Sequence, residues 1–459
     1  MDRTTKTIAE FAHDIRPGML SESVVHETEL RMVDALGCLI GGLDSAPAVI
    51  ARRLAALSTS SVAATAAGLS TPTTLELATF ANTIMVRYLD FNDAYFGQRG
   101  GGGHPSDLIP TALALGEACG LSGTDLILLT VIGYEVLAQL AITGTLRERG
   151  WDQGLYTGVA AAVMTGKAFG ASVEELGNAV SLALTPHVPL RVTRVGELSM
   201  WKGAATAEAA RVGVFAGLLA KNGMTGPPEP FEGDDGIWQR VSGKFELNLV
   251  AEPDRYVIEQ VHTKYRPAEY HAQGALDLAV RLHQEFPVER IERIDVQTYF
   301  LAWHEIGSEP AKWDPKTRET ADHSLPYLIA RTLVDGELGL GSFTDEKILD
   351  PALRPLMHRI TVTENPEFTA RFSAELLVRL TVTLSSGEVV VRESAHPRGH
   401  VRNPMDEAEF DRKFDDLAAL RSPADADRAH AIRDSFSTLD QVGNVAPLIA
   451  RLGNLEAAR

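Results

Sequence analysis

Leu376-Leu377-Val378-Arg379-Leu380-Thr381-Val382-Thr383-Leu384-Ser385-Ser386-Gly387-Glu388-Val389-Val390-Val391 decides the fold class. Val378, Leu380, Val382 and Leu384 alternate with Arg379, Thr381 and Thr383, the period of two that puts one face of a strand in a core. Ser385-Ser386-Gly387 supplies a turn, and Glu388–Val391 returns as a second strand. Upstream, Ile291-Glu292-Arg293-Ile294-Asp295-Val296 and Arg359-Ile360-Thr361-Val362 share the β-branched texture, after a helix expected over Gln273–Glu285.

Away from this block the periodicity is helical. Leu30, Val33, Leu36 and Ile40 recur at helical spacing until Gly41-Gly42. Helices are also expected at Leu75–Tyr88, Ile109–Cys119, Gly123–Leu140, Gly158–Phe169 and Ala204–Lys221, several rich in the small residues that let helices approach closely. Helical character returns from Asp406. The expected architecture is mainly α with an inserted α+β domain: an all-helical domain from residues 1–265 and 400–459, and an α+β domain over 266–399.

A chain of 459 residues with 45% hydrophobic content reads as two or three ordinary globular domains. The 43 Lys and Arg against 61 Asp and Glu leave a net charge of −18. That field repels nucleic acid and acidic membrane, so an anionic ligand must meet a local cationic cluster. Cys38 and Cys119 sit in apolar stretches at neither zinc nor disulfide-framework spacing. No apolar run is long enough for a membrane span, and the start lacks a signal-peptide core, which makes the cytoplasm the expected compartment.

Acid–base equipment is concentrated in Tyr88-Leu89-Asp90-Phe91-Asn92-Asp93-Ala94-Tyr95 and the following Gly100-Gly101-Gly102-Gly103-His104-Pro105-Ser106-Asp107. If the preceding helix continues, Asp90 and Asp93 fall on one face and the glycine loop delivers His104 beside them. The alternatives are that the two aspartates cap or solvate a helix end over a flexible loop, or that they and the imidazole ligate a metal, although no further ligand stands at motif spacing. Lys202, opening a helix after Leu198-Ser199-Met200-Trp201, is either a solvated charge or well placed for a carboxylate. Lys264, Arg266 and His271 form either a surface charge cluster or a local positive field.

Leu-Asp-Phe-Asn-Asp followed by Gly-His-Pro-Ser-Asp resembles the signature region of the MmgE/PrpD family. Four further segments agree in order: Gly150-Trp151-Asp152-Gln153-Gly154, Met200-Trp201-Lys202-Gly203-Ala204-Ala205, Thr263-Lys264-Tyr265-Arg266-Pro267-Ala268-Glu269-Tyr270-His271-Ala272-Gln273, and Glu319-Thr320-Ala321-Asp322-His323-Ser324-Leu325-Pro326-Tyr327. The resemblance implies a helical domain from both chain ends, an α+β lid, a homodimer and a site between the domains. It also implies proton transfer at carbon next to a carboxylate, without metal or organic cofactor. Carried over, it makes Asp90, His104, Lys202 and Lys264 catalytic, and Asn92, Asp93, Ser106, Tyr156, Arg266, His271 and His323 substrate-binding.

The expected activity is a hydro-lyase on a small 2-hydroxy di- or tricarboxylate such as 2-methylcitrate or citrate. Lys202, Lys264 and Arg266 hold its carboxylates, one of Asp90 and His104 takes the proton, and His104 is favoured as acid for the departing hydroxyl. Decarboxylation or epimerisation at the same site is the rival chemistry. A non-catalytic binding protein is the rival class, and predicts an eroded polar set. Ala94 stands where many relatives carry Thr, and Gln153 where the dehydratases tend to show His, which bears on substrate rather than fold. His323 and Tyr327 either help close the lid or are packed core.

Overall fold

The computed structural model describes residues 1–97, 101–143, 146–252 and 255–456. Its helices at Glu22–Gly42, Leu75–Tyr88, Ile109–Cys119, Gly123–Thr143, Gly154–Ala168 and Trp201–Lys221 share one apolar core. Small residues set the spacing: a Cβ on Gly213 would lie 2.2 Å from the Gly158 carbonyl oxygen, and one on Gly42 2.2 Å from that of Met85. The core draws on residues 8–261 and again on 414–455, because the helices Glu407–Ala418 and Pro423–Phe436 return onto Glu22–Gly42. Gly123–Thr143 has the length and composition of a membrane span, but most of it is buried in this core.

A second core runs from Ala268 to Val390. Its sheet has the order Ile360–Glu364, Ile291–Thr298, Val378–Leu384, Val389–Ser394, with the first pair parallel and the others antiparallel. The hairpin forms as its alternation requires. Val378, Leu380, Val382 and Leu384 are buried, Thr383 faces Val389, and Gly387 turns the chain with φ +85°. The helix Gln273–Glu285 lies on these strands and on the helix Leu325–Asp335. Mainly helical architecture with a smaller α+β part is therefore what the chain adopts.

One local expectation is corrected. The helix Leu75–Tyr88 does not run on through the aspartates: Leu89 caps it, and Asp90 takes the left-handed conformation at φ +51°. Asp90 and Asp93 therefore share no helical face. Glycine is the usual residue at such a helix exit, so a buried aspartate there is held by its charge partners. Gly100 lies outside the described residues. Gly102–Gly103 pairs with Tyr95–Phe96 in a narrow hairpin, where a Cβ on Gly102 would lie 2.2 Å from the Tyr95 carbonyl oxygen.

Candidate active site

Between the two cores lies a buried cluster centred on Asp90. The helix exit turns its carboxylate onto the Arg87 guanidinium, and Lys264 Nζ donates to Asp90 Oδ1 at 2.6 Å and to the Asp90 carbonyl oxygen at 3.0 Å. Lys202, in the first turn of Trp201–Lys221, brings Nζ to 4.0 Å from Asp90 Oδ2 and donates to Asp322 Oδ1 at 2.7 Å. None of Arg87, Asp90, Lys202, Lys264 and Asp322 is more than 2% exposed. Burying an ion costs several kcal/mol unless it is paired. Here three cations, Arg87, Lys202 and Lys264, surround the one carboxylate of Asp90, while Asp322 is shared with Lys202 and the buried Asp107 stands within electrostatic reach of Arg87.

Burial alone would raise the Asp90 carboxyl, but Arg87, Lys264, Lys202 and His323 together hold it well below the usual carboxylate range. The Lys264 amine is lowered, chiefly by burial, with Asp90 opposing. Asp322 is likewise held low against its burial by Lys202 and His323. Asp90 Oδ2 and Asp322 Oδ2 are buried yet accept no hydrogen bond from the described residues. They are unmet acceptors at the centre of the cluster.

His323 follows Asp322 at the end of the short helix Arg318–Ala321 and donates from Nδ1 to Asp322 Oδ1 at 2.7 Å. The same nitrogen lies 3.3 Å from Lys202 Nζ and 3.6 Å from Asp90 Oδ2. This fixes the tautomer and leaves Nε2 as the basic nitrogen of a ring 12% exposed. Burial and then Lys202 bring its pKa down to about 4, so it is neutral at pH 7. Glu269 stands within electrostatic reach of Asp90 and Lys264 and accepts from the His271 backbone N–H at 2.6 Å. Burial first, and the Asp90 charge second, push it up to about 8, so it carries a proton at neutral pH.

His104 is differently placed. Its Nδ1 donates to the Asp93 carbonyl oxygen at 2.6 Å and its Nε2 accepts from Arg87 at 3.0 Å. Burial, then Arg87 and Lys264, hold it neutral. Neither nitrogen is spare, and the ring orients Arg87 against Asp90. Asn92, Asp93 and Ser106 buttress this arrangement from behind. Asn92 donates to Ser106 Oγ at 2.9 Å, while Asp93 accepts from Ser106 Oγ at 2.6 Å and from the Tyr134 hydroxyl at 2.8 Å.

The remaining expected site residues lie further out. Arg266 donates to Asp277 at 2.6 Å and Glu337 at 2.7 Å, and borders a cavity of about 390 Å³ with Phe91 and Lys413 rather than the cluster. His271 bonds the Tyr299 hydroxyl at 2.5 Å, and its Nε2 lies 3.7 Å from Glu269 Oε1, at the cluster's edge. Tyr156 is fully buried and, with Gln153, Arg147 and Arg191, lines a separate cavity of about 30 Å³. Ala94 packs among Tyr270 and Tyr299.

Sequence reasoning passed over Arg87, Glu269 and Asp322. Arg87 was the findable one, a lone charge in the apolar run Thr83-Ile84-Met85-Val86. Asp90, Asp322 and His323 also lie close enough to suggest a metal site. The Oδ1 atoms of both aspartates serve Arg87, Lys264, Lys202 and His323, and a dication on the remaining oxygens would sit among three cations. The donor set fits an anion better.

Residues 6–250 match the model of the MmgE/PrpD N-terminal domain and residues 267–438 that of the MmgE/PrpD C-terminal domain. The chain is similar to 2-methylcitrate dehydratase of Salmonella typhi, 29% identical over 360 residues, 72% of each chain. It is also similar to the mitochondrial 2-methylcitrate dehydratase of Yarrowia lipolytica, 27% identical over 87% of this chain and 80% of that one. Cis-aconitate decarboxylase of Aspergillus terreus is 25% identical over 76% of this chain and 75% of its own.

Proposed function

The chain belongs to the MmgE/PrpD family, and from that premise we propose a hydro-lyase that dehydrates a small 2-hydroxy tricarboxylate of the 2-methylcitrate type without a metal ion. The observation carrying this reading is the buried excess of cations around Asp90 beside an imidazole whose Nε2 is spare. The excess suits a polyanionic substrate, and the imidazole suits removal of a proton next to one of its carboxylates.

Lys202 and Lys264 hold the substrate carboxylate beside the reacting carbon and stabilise the negative charge that develops there. His323 Nε2 removes the α-proton, with Asp322 holding the ring and stabilising the imidazolium that forms. The C–H electron pair becomes the new C=C bond as the C–O bond breaks. Glu269, protonated at neutral pH, gives its proton to the departing hydroxyl, which leaves as water. Passage of the proton from His323 to Glu269 by way of solvent resets the site. Asp90, engaged by Arg87 and Lys264, is left to position the cations, and its unmet Oδ2 suits a substrate hydroxyl. This reading moves the acid from His104, whose nitrogens are both engaged, to Glu269.

The test is incubation with 2-methylcitrate, citrate and cis-aconitate, following ultraviolet absorbance of the new C=C and release of CO2. Dehydration of a hydroxy acid is the expected result. CO2 release from cis-aconitate without it overturns the reading. The same reading carries a cytoplasmic location and a homodimer, the dimer supported by an exposed apolar run of Leu190, Val192, Val195, Met200 and Trp201 leading into Lys202. Light scattering on the purified protein measures that mass.

A further inference from the structure

Lys413 lies far along the chain from the cluster, in the charged helix Glu407–Ala418, yet it is only 5% exposed. An ammonium group has three N–H donors, and this one meets three acceptors. Its Nζ donates to the Phe91 carbonyl oxygen at 2.7 Å and to that of Lys264 at 3.0 Å, and pairs with Asp34 Oδ1 at 2.6 Å. The Phe91 ring covers it, with the nitrogen 4.2 Å from the ring centre. Phe91 follows Asp90 directly, and the other carbonyl belongs to Lys264 itself. One buried ammonium thus ties together the two segments that carry the central ion pair, and Asp34 anchors it to the helix Glu22–Gly42.

We infer that Lys413 is a positioning residue that sets the register between Asp90 and Lys264. The inference rests on the proposed catalytic reading of that pair. Asp90 stands in a left-handed conformation directly after a helix end, and Lys264 stands in a loop outside helix and sheet. Neither segment is fixed by a ladder of its own at this point. Without the tie, the register between the two stretches rests on the Ala94–His262 backbone pair and on the Lys264–Asp90 contacts themselves. Groups that act in catalysis need placement to within about 0.5 Å.

The test compares Lys413→Met, which keeps the length and apolar stem but has no donor, with Lys413→Gln, which keeps two N–H donors. Asp90→Asn is run beside them. Expected for Lys413→Met is a folded protein whose kcat/KM for 2-methylcitrate falls at least tenfold, and whose crystal structure opens the Lys264 Nζ to Asp90 Oδ1 contact beyond 4 Å. Lys413→Gln recovers a large part of both. A lowered melting point with kcat/KM within twofold of the parent, the contact intact and Gln no better than Met overturns the inference, as does failure of both variants to fold. If Asp90→Asn stays fully active, the catalytic reading falls, and the crystal distances alone then decide whether Lys413 sets the register. If Asp90→Asn is dead and Lys413→Met fully active, only the present inference falls.

Discussion

Asp322 and His323 are neighbours in the chain, and the carboxylate turns back to accept from its neighbour's Nδ1 at 2.7 Å while also holding Lys202 at 2.7 Å. One carboxylate therefore fixes the tautomer of the proposed base and the position of a proposed substrate-binding amine. The two functions cannot be tuned separately. An amide in its place keeps the shape but withdraws the charge from both.

Asp322→Asn is accordingly expected to lower kcat by about 10²–10⁴, the usual worth of a positioned acid or base. KM should rise as well, because Lys202 loses its anchoring anion. His323→Gln should lower kcat to a similar degree with a smaller change in KM. Steady-state kinetics on both variants with 2-methylcitrate separate the two effects. Equal and small losses in both would remove His323 from the proton step.

The pH dependence follows from two groups displaced in opposite directions. His323, brought down to about 4, is available as a base above that value, and Glu269, pushed up to about 8, is available as an acid below it. Activity should therefore be level between these limits and fall on either side. Glu269→Gln should lose most of the rate. It should also be relatively more stable at pH 8 than at pH 5. The raised carboxyl contributes stability fully below its unfolded value of about 4.3 and loses it as pH rises towards about 8, whereas an amide pays no such penalty. Thermal melts of parent and variant at the two pH values check the sign.

At Asp90 two effects oppose each other. Glycine would relieve the left-handed backbone, a gain of about 1–2 kcal/mol. It would also strand Arg87 and Lys264 without their carboxylate, and breaking a buried pair costs about 3–5 kcal/mol. Charge wins, so Asp90→Gly should be both inactive and less stable than the parent. Because the folded carboxyl is held low, its stabilisation is complete above the unfolded pKa of about 3.9 and is lost as pH falls through the lower folded value. Urea titrations at pH 7 measure the difference.

The legible parts of this chain were those written in local periodicity. The hairpin at Val378–Leu384 and Val389–Ser394 follows from alternation and a glycine turn, and the bounds of Leu75–Tyr88, Ile109–Cys119 and Gln273–Glu285 follow from apolar spacing. Of the residues singled out, Asp90, Lys202 and Lys264 meet in one cluster, while His104 reaches it only through Arg87. Long-range partnership was not legible. The Asp90 helix exit depends on Lys264 far along the chain, and nothing in Glu407–Ala418 distinguishes Lys413 from the helix's other charges. Asp322 was passed over because the sequence does not say which oxygen faces which nitrogen.

Arg266 is where the sequence expectation and the geometry part most plainly. Expected to grip a substrate carboxylate, it instead spends its guanidinium on Asp277 and Glu337. Asp277 is largely buried and Glu337 is mostly exposed, so the first pair carries most of the energy and solvent screens the second. Arg266→Gln should therefore cost about 2 kcal/mol of stability, the scale of hydrogen bonds to charged groups, while KM for 2-methylcitrate stays within about twofold of the parent. A tenfold or larger rise in KM with unchanged stability would instead return Arg266 to the substrate, and would mean that the cation excess around Asp90 does not hold every carboxylate by itself.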